Sequence, residues 1–363
     1  GYAQSTSIKR DLVQCLIYAL KTARHVPPGD VVVTNDFWMP AVLPWLQPSV
    51  GKVVPCLQRF PKKQGTLYGK CAALAAVSQA VADAVKIQSP AVADKVVVVP
   101  NAVDEVFLEE TKRLRDQETK RPKDEEPETA VAVGDSARRS RGQTNGRKDG
   151  WITRRGVRIL YVGRIHPEKG LGLLAEALRL LADRDQRPKD QKTNRLSAEA
   201  ADWECVLVGP VAQGEGGGGE AFAEELKRQL QGLPVRLEAP VFDPEALAKI
   251  YDEADVFVYP SVAETGESFG IAPLEAMARG VVPVVSDLAV FRDYLEPGVN
   301  GMVFDHRNGK GPANLARVLD ELVADADKRR RLGGAARATA ERFSPAAIAD
   351  KYLQLFEKVV SGT

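Results

Sequence analysis

The sequence predicts an α/β protein built from two doubly wound units with parallel sheets, and three observations lead there. Short continuous apolar runs (Val31-Val32-Val33, Val96 to Val99, Val157 to Gly163, Val256-Phe257-Val258-Tyr259 and Val281 to Val285) read as strands covered on both faces. A sheet with one wet face would alternate apolar and polar residues instead. Helical stretches separate these runs, as crossovers between parallel strands require. A charged stretch from residue 110 to 155 then divides the strands into two groups, and 363 residues suit two domains.

The expected order begins with a helix over 8–25, with Ile8, Leu12, Leu16 and Leu20 on one stripe. Gly29 and Asp30 break that pattern before the strand at Val31. Val53-Val54 is a second short strand, Leu67 to Lys86 is Ala-rich and reads as helix, and the strand at Val96 ends in Pro100-Asn101. These elements make a first unit, residues 1–109. The stretch 110–155 carries Lys112, Arg113, Arg115, Asp124, Glu125, Glu126, Arg138, Arg139 and Arg141 and few large apolar residues. It cannot bury enough surface to offset its ordering entropy, so it reads as a disordered insertion or linker. Acidic residues interleave with the basic ones, and no aromatic precedes Trp151, which argues against an RNA-binding patch.

The second unit, residues 156–344, has strands at Val157, Cys205-Val206-Leu207-Val208, Val235-Arg236-Leu237, Val256 and Val281, with a polar insertion at 184–198. Residues 345–363 form a terminal helix with Ile348, Tyr352, Leu355, Phe356 and Val359 on its apolar side, a stripe that suits packing on either unit.

Composition narrows the functional classes. Fifty Lys and Arg against 49 Asp and Glu leave a net charge of +1, so the global basic field of a general nucleic-acid binder is missing. Four cysteines without C-x-x-C spacing and three histidines indicate neither a disulfide framework nor a zinc site. A reducing compartment and a cytoplasmic location are expected, with room for peripheral contact at the cytoplasmic membrane face. No apolar run reaches the roughly 18 residues needed to span a bilayer, and no charged start precedes an apolar block.

Two segments carry candidate chemistry. Tyr161-Val162-Gly163-Arg164-Ile165-His166-Pro167-Glu168-Lys169-Gly170 is a strand running into a turn with two cations, followed by a helix from Leu171. Arg164 and Lys169 can both reach a phosphate there, and a helix N-terminus favours the same charge. Read without a ligand, the same residues are a pair of solvated cations at a loop. The second segment runs from Glu264 to Gly280. Gly270 fits the N-cap, Pro273 falls in the first turn, and Gly280 closes the helix. Glu267 before the helix and Glu275 inside it can accept paired hydrogen bonds from vicinal hydroxyls; the plain alternative is a dipole charge and an exposed helical charge. Gly216 to Gly219 lacks the Lys-Ser/Thr of a phosphate cradle and reads as a flexible linker. His166 reads as solvent-facing, and Asp287 and Asp293 do not form an Asp-x-Asp metal pair.

The Gly163-Arg164 and Glu168-Lys169-Gly170 turn, the strand ending Tyr259-Pro260-Ser261, and Glu267 to Glu275 with Phe269-Gly270 and Leu274-Glu275-Ala276-Met277-Ala278 resemble glycosyltransferase family 4. The resemblance continues through Gly280 to Ser286 and Gly298 to Phe304 and covers nearly all of residues 156 to 360. Val77-Ser78-Gln79-Ala80-Val81 and Val99 to Asp104 extend it more weakly into the first unit, with Ala102 where the family usually has Gly.

The resemblance implies a GT-B fold, two Rossmann-like domains facing a cleft, and a retaining transferase that moves a sugar from a UDP- or GDP-sugar to a glycan, lipid or small-molecule acceptor. It implies that Arg164 and Lys169 bind the donor diphosphate, that Gly270 and Ile271 offer it backbone amides, that Glu267 contacts the transferred sugar as the catalytic residue, and that Glu275 holds the ribose. No metal and no cofactor beyond the donor are expected. Two departures touch the first domain. Family members open with a strand and a Gly-rich loop, whereas a single helix precedes Val31, so the first β-α-β portion of the N-terminal domain is expected to be absent. Many also carry a His where this chain reads Pro55 to Lys63. A non-catalytic GT-B-like protein that binds a sugar nucleotide or a partner is the rival, and the Glu-to-Glu spacing argues against a sugar-nucleotide epimerase.

Overall fold

The computed structural model describes residues 8–109, 156–185 and 202–362. The charged stretch 110–155 lies outside the described residues, as do residues 186–198 of the polar insertion.

The first unit runs α1 (Ile8–Thr22), β1 (Val31–Thr34), α2 (Met39–Leu46), β2 (Lys52–Leu57), β3 (Leu74–Ala76), α3 (Gln79–Gln88) and β4 (Val96–Val98). Its strands lie in the order β1-β2-β3-β4, every neighbouring pair parallel. The second unit runs β5 (Val157–Val162), α4 (Leu171–Asp185), β6 (Trp203–Val208), α5 (Glu220–Leu230), β7 (Val235–Glu238), α6 (Pro244–Asp252), β8 (Val256–Tyr259), α7 (Ile271–Ala278), β9 (Val282–Ser286), β10 (Met302–Phe304), α8 (Gly311–Ala324) and α9 (Ala326–Ala340). Its strand order is β10-β9-β8-β5-β6-β7, again parallel throughout.

The apolar runs of β5 and β8 are continuous because both faces are covered: Ile159, Leu160, Tyr161, Val256, Phe257 and Val258 are all at most 1% exposed. α4 packs along α8 and α5, and α9 packs along α7. Leu174, Leu178, Leu315 and Leu319 are buried on α4 and α8. Each such side chain contributes about 1.5–3 kcal/mol relative to an exposed one.

The terminal helix α10 (Pro345–Ser361) crosses back to the first unit. It lies against β1, and the Tyr352 hydroxyl is 3.3 Å from the Cys56 Sγ on β2. The carboxyl ends of the two sheets face one another. After β2, the Gln58 carbonyl accepts from the Ser268 hydroxyl of the second unit at 2.8 Å; after β3, the Gln79 amide donates to Asp293 Oδ2 at 2.8 Å. This is the GT-B arrangement expected from the sequence.

Four expectations change. Leu67 to Lys86 is not one helix: Leu74–Ala76 is a strand, and α3 begins after Ser78, whose hydroxyl accepts from the Val81 amide. Leu74, Ala75 and Ala76 pair with Val96, Val97 and Val98, and this non-local ladder overrides the helical preference of alanine. On α1 the expected stripe is not a buried face where its side chains are described: Leu12 and Leu20 are 37% and 41% exposed and Leu16 is half-buried, while Ala19, and Ala23 in the turn that follows, are buried. The small residues allow the close approach between this helix segment and α2. β1 is an edge strand with Val33 46% exposed, so its three valines are not covered on both faces. Finally, α2 had no signal in the sequence, because Pro40 and Pro44 mask a helix that tolerates the first in its opening turn.

Candidate functional site

The second sheet reverses direction at β5. From there the chain moves outward one way to β6 and β7 and the other way to β8, β9 and β10. In open parallel sheets the crevice at such a switch point, beyond the carboxyl ends of the strands, is where ligands sit. Both candidate segments leave the sheet here, residues 163–170 after β5 and residues 260–270 after β8.

Gly170 lets the two loops meet. Its φ is +69°, and a Cβ on it would fall 2.0 Å from the Pro260 carbonyl oxygen, so no side chain fits. The Val262 amide then donates to the Glu168 carbonyl at 3.0 Å and locks the loops together.

That contact places Lys169 inside the crevice. Its Nζ donates to Glu267 Oε2 at 2.7 Å and to the Tyr259 hydroxyl at 2.9 Å. The two charged side chains are 7% and 10% exposed, and each offsets the desolvation of the other. Two residues 98 apart in the sequence, expected to contact different parts of one ligand, are direct partners. Tyr259 stacks on Tyr161 with ring centroids 5.9 Å apart. Burial pushes the Tyr259 phenol well up, and the nearby Glu267 charge pushes it further.

Arg164 lies nearer the surface. Its guanidinium pairs with Glu168, four residues on, and donates to the Gly216 carbonyl at 2.8 Å. The Gly-rich segment is therefore not a flexible linker. The amides of Gly216, Gly217, Gly218 and Gly219 donate to the carbonyls of Gln213, Ala212, Ile165 and Val211 at 2.8–2.9 Å. With all four donors used inside the protein, the turn is a wall beside Arg164 and cannot cradle a phosphate. His166 is half-buried rather than solvent-facing: its ring Nδ1 accepts from the Glu168 amide at 3.3 Å.

α7 starts and stops as the sequence implied. Gly270 is its N-cap with φ +78°, a conformation that costs a side chain, and the Tyr294 hydroxyl donates to its carbonyl at 2.7 Å. At the other end, the Gly280 amide bonds the Met277 carbonyl and the Val281 amide bonds the Ala276 carbonyl, closing a Schellman motif. The amides of the first turn, Ile271 among them, have no acceptors within the helix, which begins after the loop that leaves the carboxyl end of β8.

Glu275 lies one turn into α7, where Oε2 accepts from the Tyr251 hydroxyl at 2.9 Å. Burial raises its pKa, the Tyr251 bond lowers it, and Asp104 raises it. It is thus not an exposed helical charge. The structure brings Lys169 and Glu267 into direct contact, Gly270 and Ile271 follow Glu267 at the start of α7, and Arg164 pairs with Glu168 beside Lys169. The sequence reading missed Tyr251, Tyr259 and Glu168 as partners. Tyr259 ends an apolar strand and Tyr251 sits on an amphipathic helix, so both read locally as core.

Among the described residues no three His, Cys, Asp or Glu side chains cluster as a metal-ligand set, and no helix is long and apolar enough to cross a membrane. Asp287 pairs with Arg292 at 2.8 Å and with Arg307 at 3.5 Å.

Comparison with known proteins agrees with this architecture. D-inositol 3-phosphate glycosyltransferases of Streptomyces bingchenggensis and Thermomonospora curvata are 32% and 31% identical over 203 and 202 residues. Those matches take in 54% of this chain in each case but 40% and 42% of the relatives, so the chain spans about two fifths of their length. Anabaena HepE in complex with UDP and glucose superposes with a TM-score of 0.65 at 19% identity, covering 96% of this chain and 83% of that one. An α,α-trehalose-phosphate synthase (UDP-forming) from Burkholderia vietnamiensis superposes with a TM-score of 0.66 at 13% identity, covering 97% and 76%. The family described as glycosyl transferases group 1 matches residues 147–339, more than half of the chain. With its parallel sheets facing across a cleft and the family's motif residues gathered at the switch point of the second, the chain belongs to the group 1 glycosyl transferases.

Proposed function

We propose that the protein transfers a sugar, with retention of anomeric configuration, from a nucleotide-diphosphate sugar to a glycan, lipid or small-molecule acceptor. The observation that carries this reading is the buried pair of Lys169 and Glu267 at the β5–β8 crevice, beside the N-terminus of α7. A cation, a carboxylate and a helix N-terminus within one crevice suit a substrate with a diphosphate next to a sugar.

In this reading Arg164, Lys169 and the Gly270 and Ile271 amides meet the diphosphate, Glu267 faces the transferred ring, and Glu275 takes the ribose hydroxyls. The anomeric carbon–phosphate oxygen bond breaks, and its electron pair stays on the diphosphate. The new bond forms from the acceptor oxygen on the same face, and the acceptor proton passes to the leaving phosphate oxygen. The cations and the α7 dipole stabilise the growing negative charge, so this site requires no divalent ion. The acceptor approaches from the first unit, whose Gln58 meets Ser268 beside Glu267. The relatives' names support the activity, and the solved complexes with UDP support a uridine donor; a GDP-sugar is the other candidate.

The test combines calorimetry with UDP- and GDP-sugars and an assay of donor hydrolysis or transfer in EDTA. Binding of one donor with turnover that survives EDTA is expected. Turnover that vanishes with chelator and returns with Mn²⁺ or Mg²⁺ refutes the metal-free site, and binding without any turnover favours a sugar-nucleotide-binding protein without activity.

A further inference from the structure

Tyr251 is 0% exposed, yet its hydroxyl has a charged partner. The ring is fixed from two sides, edge-on to Phe107 at 5.7 Å and tilted against Phe257 at 5.6 Å. Its oxygen lies 2.9 Å from Glu275 Oε2 and 3.3 Å from the Ala272 carbonyl, so the single proton goes to the closer, charged acceptor. Tyr251 belongs to α6 and Glu275 to α7, which makes the bond a tie between two helices rather than a local turn. Nothing in packing alone requires the hydroxyl there, because a phenylalanine would fill the same space and spare the desolvation of a polar group.

We propose that Tyr251 is a positioning residue for donor binding, its hydroxyl holding one carboxylate oxygen of Glu275 so that the other is presented to the vicinal diol of the ribose. This rests on the donor reading above. A carboxylate on a flexible three-bond side chain samples several rotamers, and holding one oxygen fixes the direction of the other, whose two lone pairs can then accept from both hydroxyls of the diol. The hydroxyl also favours the charged form of Glu275, which a diol donating two hydrogen bonds needs. Asp104, from the segment after β4, also acts on this carboxylate and opposes its ionisation.

The experiment measures binding of UDP, 2′-deoxy-UDP and inorganic pyrophosphate to the 363-residue chain by calorimetry, with the GDP pair in parallel. The unmodified chain is expected to bind the ribonucleotide about tenfold more tightly than its 2′-deoxy form, the size of one hydrogen bond to a charged group. Tyr251→Phe should shrink that ratio to about two- to threefold, as Glu275→Gln should, with pyrophosphate affinity little changed. A Tyr251→Phe ratio equal to the unmodified one overturns the proposal. So does a parallel loss of pyrophosphate affinity, which marks a merely structural role. If Glu275→Gln keeps the full ratio, Glu275 is not the ribose ligand and the donor reading fails at that residue. If the unmodified chain binds no nucleotide, the donor reading itself fails, and the role of Tyr251 falls with it.

Discussion

Lys169 Nζ and Glu267 Oε2 are 2.7 Å apart, and the Tyr259 hydroxyl completes the contact from the end of β8. The diphosphate side and the sugar side of the proposed site are therefore one electrostatic unit. A change at either residue leaves the other charge buried alone.

Lys169→Met should cost about 3–5 kcal/mol of stability, the penalty for stranding a buried charge, whereas Lys169→Met with Glu267→Gln should cost less than the two single changes together. Urea unfolding of the four proteins measures this. Strictly additive losses would show that the pair is not coupled.

The two glutamates should separate kinetically. Glu275→Gln alters a contact present before and during the reaction, so it should weaken donor binding about tenfold or more and change turnover little. Glu267→Gln touches the ring whose shape and charge change at the transition state, so turnover should fall most. Steady-state kinetics with varied donor resolves the two; full activity in both variants refutes the assignment.

Stability and donor binding should respond oppositely to pH through Glu275. Burial pushes its carboxyl above the usual range, with Tyr251 pulling it down and Asp104 pushing it up. Between the ordinary value and the raised one, the folded chain keeps a proton that the unfolded chain has released. Its stabilising contribution is complete below the ordinary carboxyl range and is lost as pH rises through the raised value. Relative to Glu275→Gln, the unmodified chain should therefore lose stability as pH rises from about 4 toward neutrality, while its donor affinity grows. Melting curves and calorimetry across that range read both trends, and a flat stability difference would contradict them.

Gly170→Ala should disrupt the crevice without touching a charged group. The Cβ would collide with the Pro260 carbonyl and also meet a left-handed backbone, a conformation that by itself costs about 1–2 kcal/mol. Reduced melting temperature together with weakened donor binding is expected; a variant with unchanged binding would mean that the close approach of the two loops does not shape the site.

Asp293→Ala should loosen the junction between the units. Its carboxylate accepts from the Gln79 amide at the start of α3, where burial raises its pKa. Loss of a comparable cap costs about 0.5–2 kcal/mol. Urea unfolding checks the value, and no loss of stability would show that this bond does not hold the two sheets face to face.

What the sequence determined by itself was what depends on neighbours along the chain. β5, β8 and β9 were legible because strands covered on both faces need uninterrupted apolar runs, and α7 because Gly270, Pro273 and Gly280 act through their own backbone geometry. The candidate residues Arg164, Lys169, Gly270, Ile271, Glu267 and Glu275 followed from motifs on those same segments. Only the tertiary structure decided that Leu74–Ala76 is a strand, because its ladder partners lie some twenty residues on either side. It also decided which side of α1 turns inward, that the four glycines spend every amide on the protein, and that Lys169 meets Glu267 and Tyr251 meets Glu275. Those contacts join segments distant in sequence, and their energies come from burial and charge pairing that exist only once the sheets are assembled.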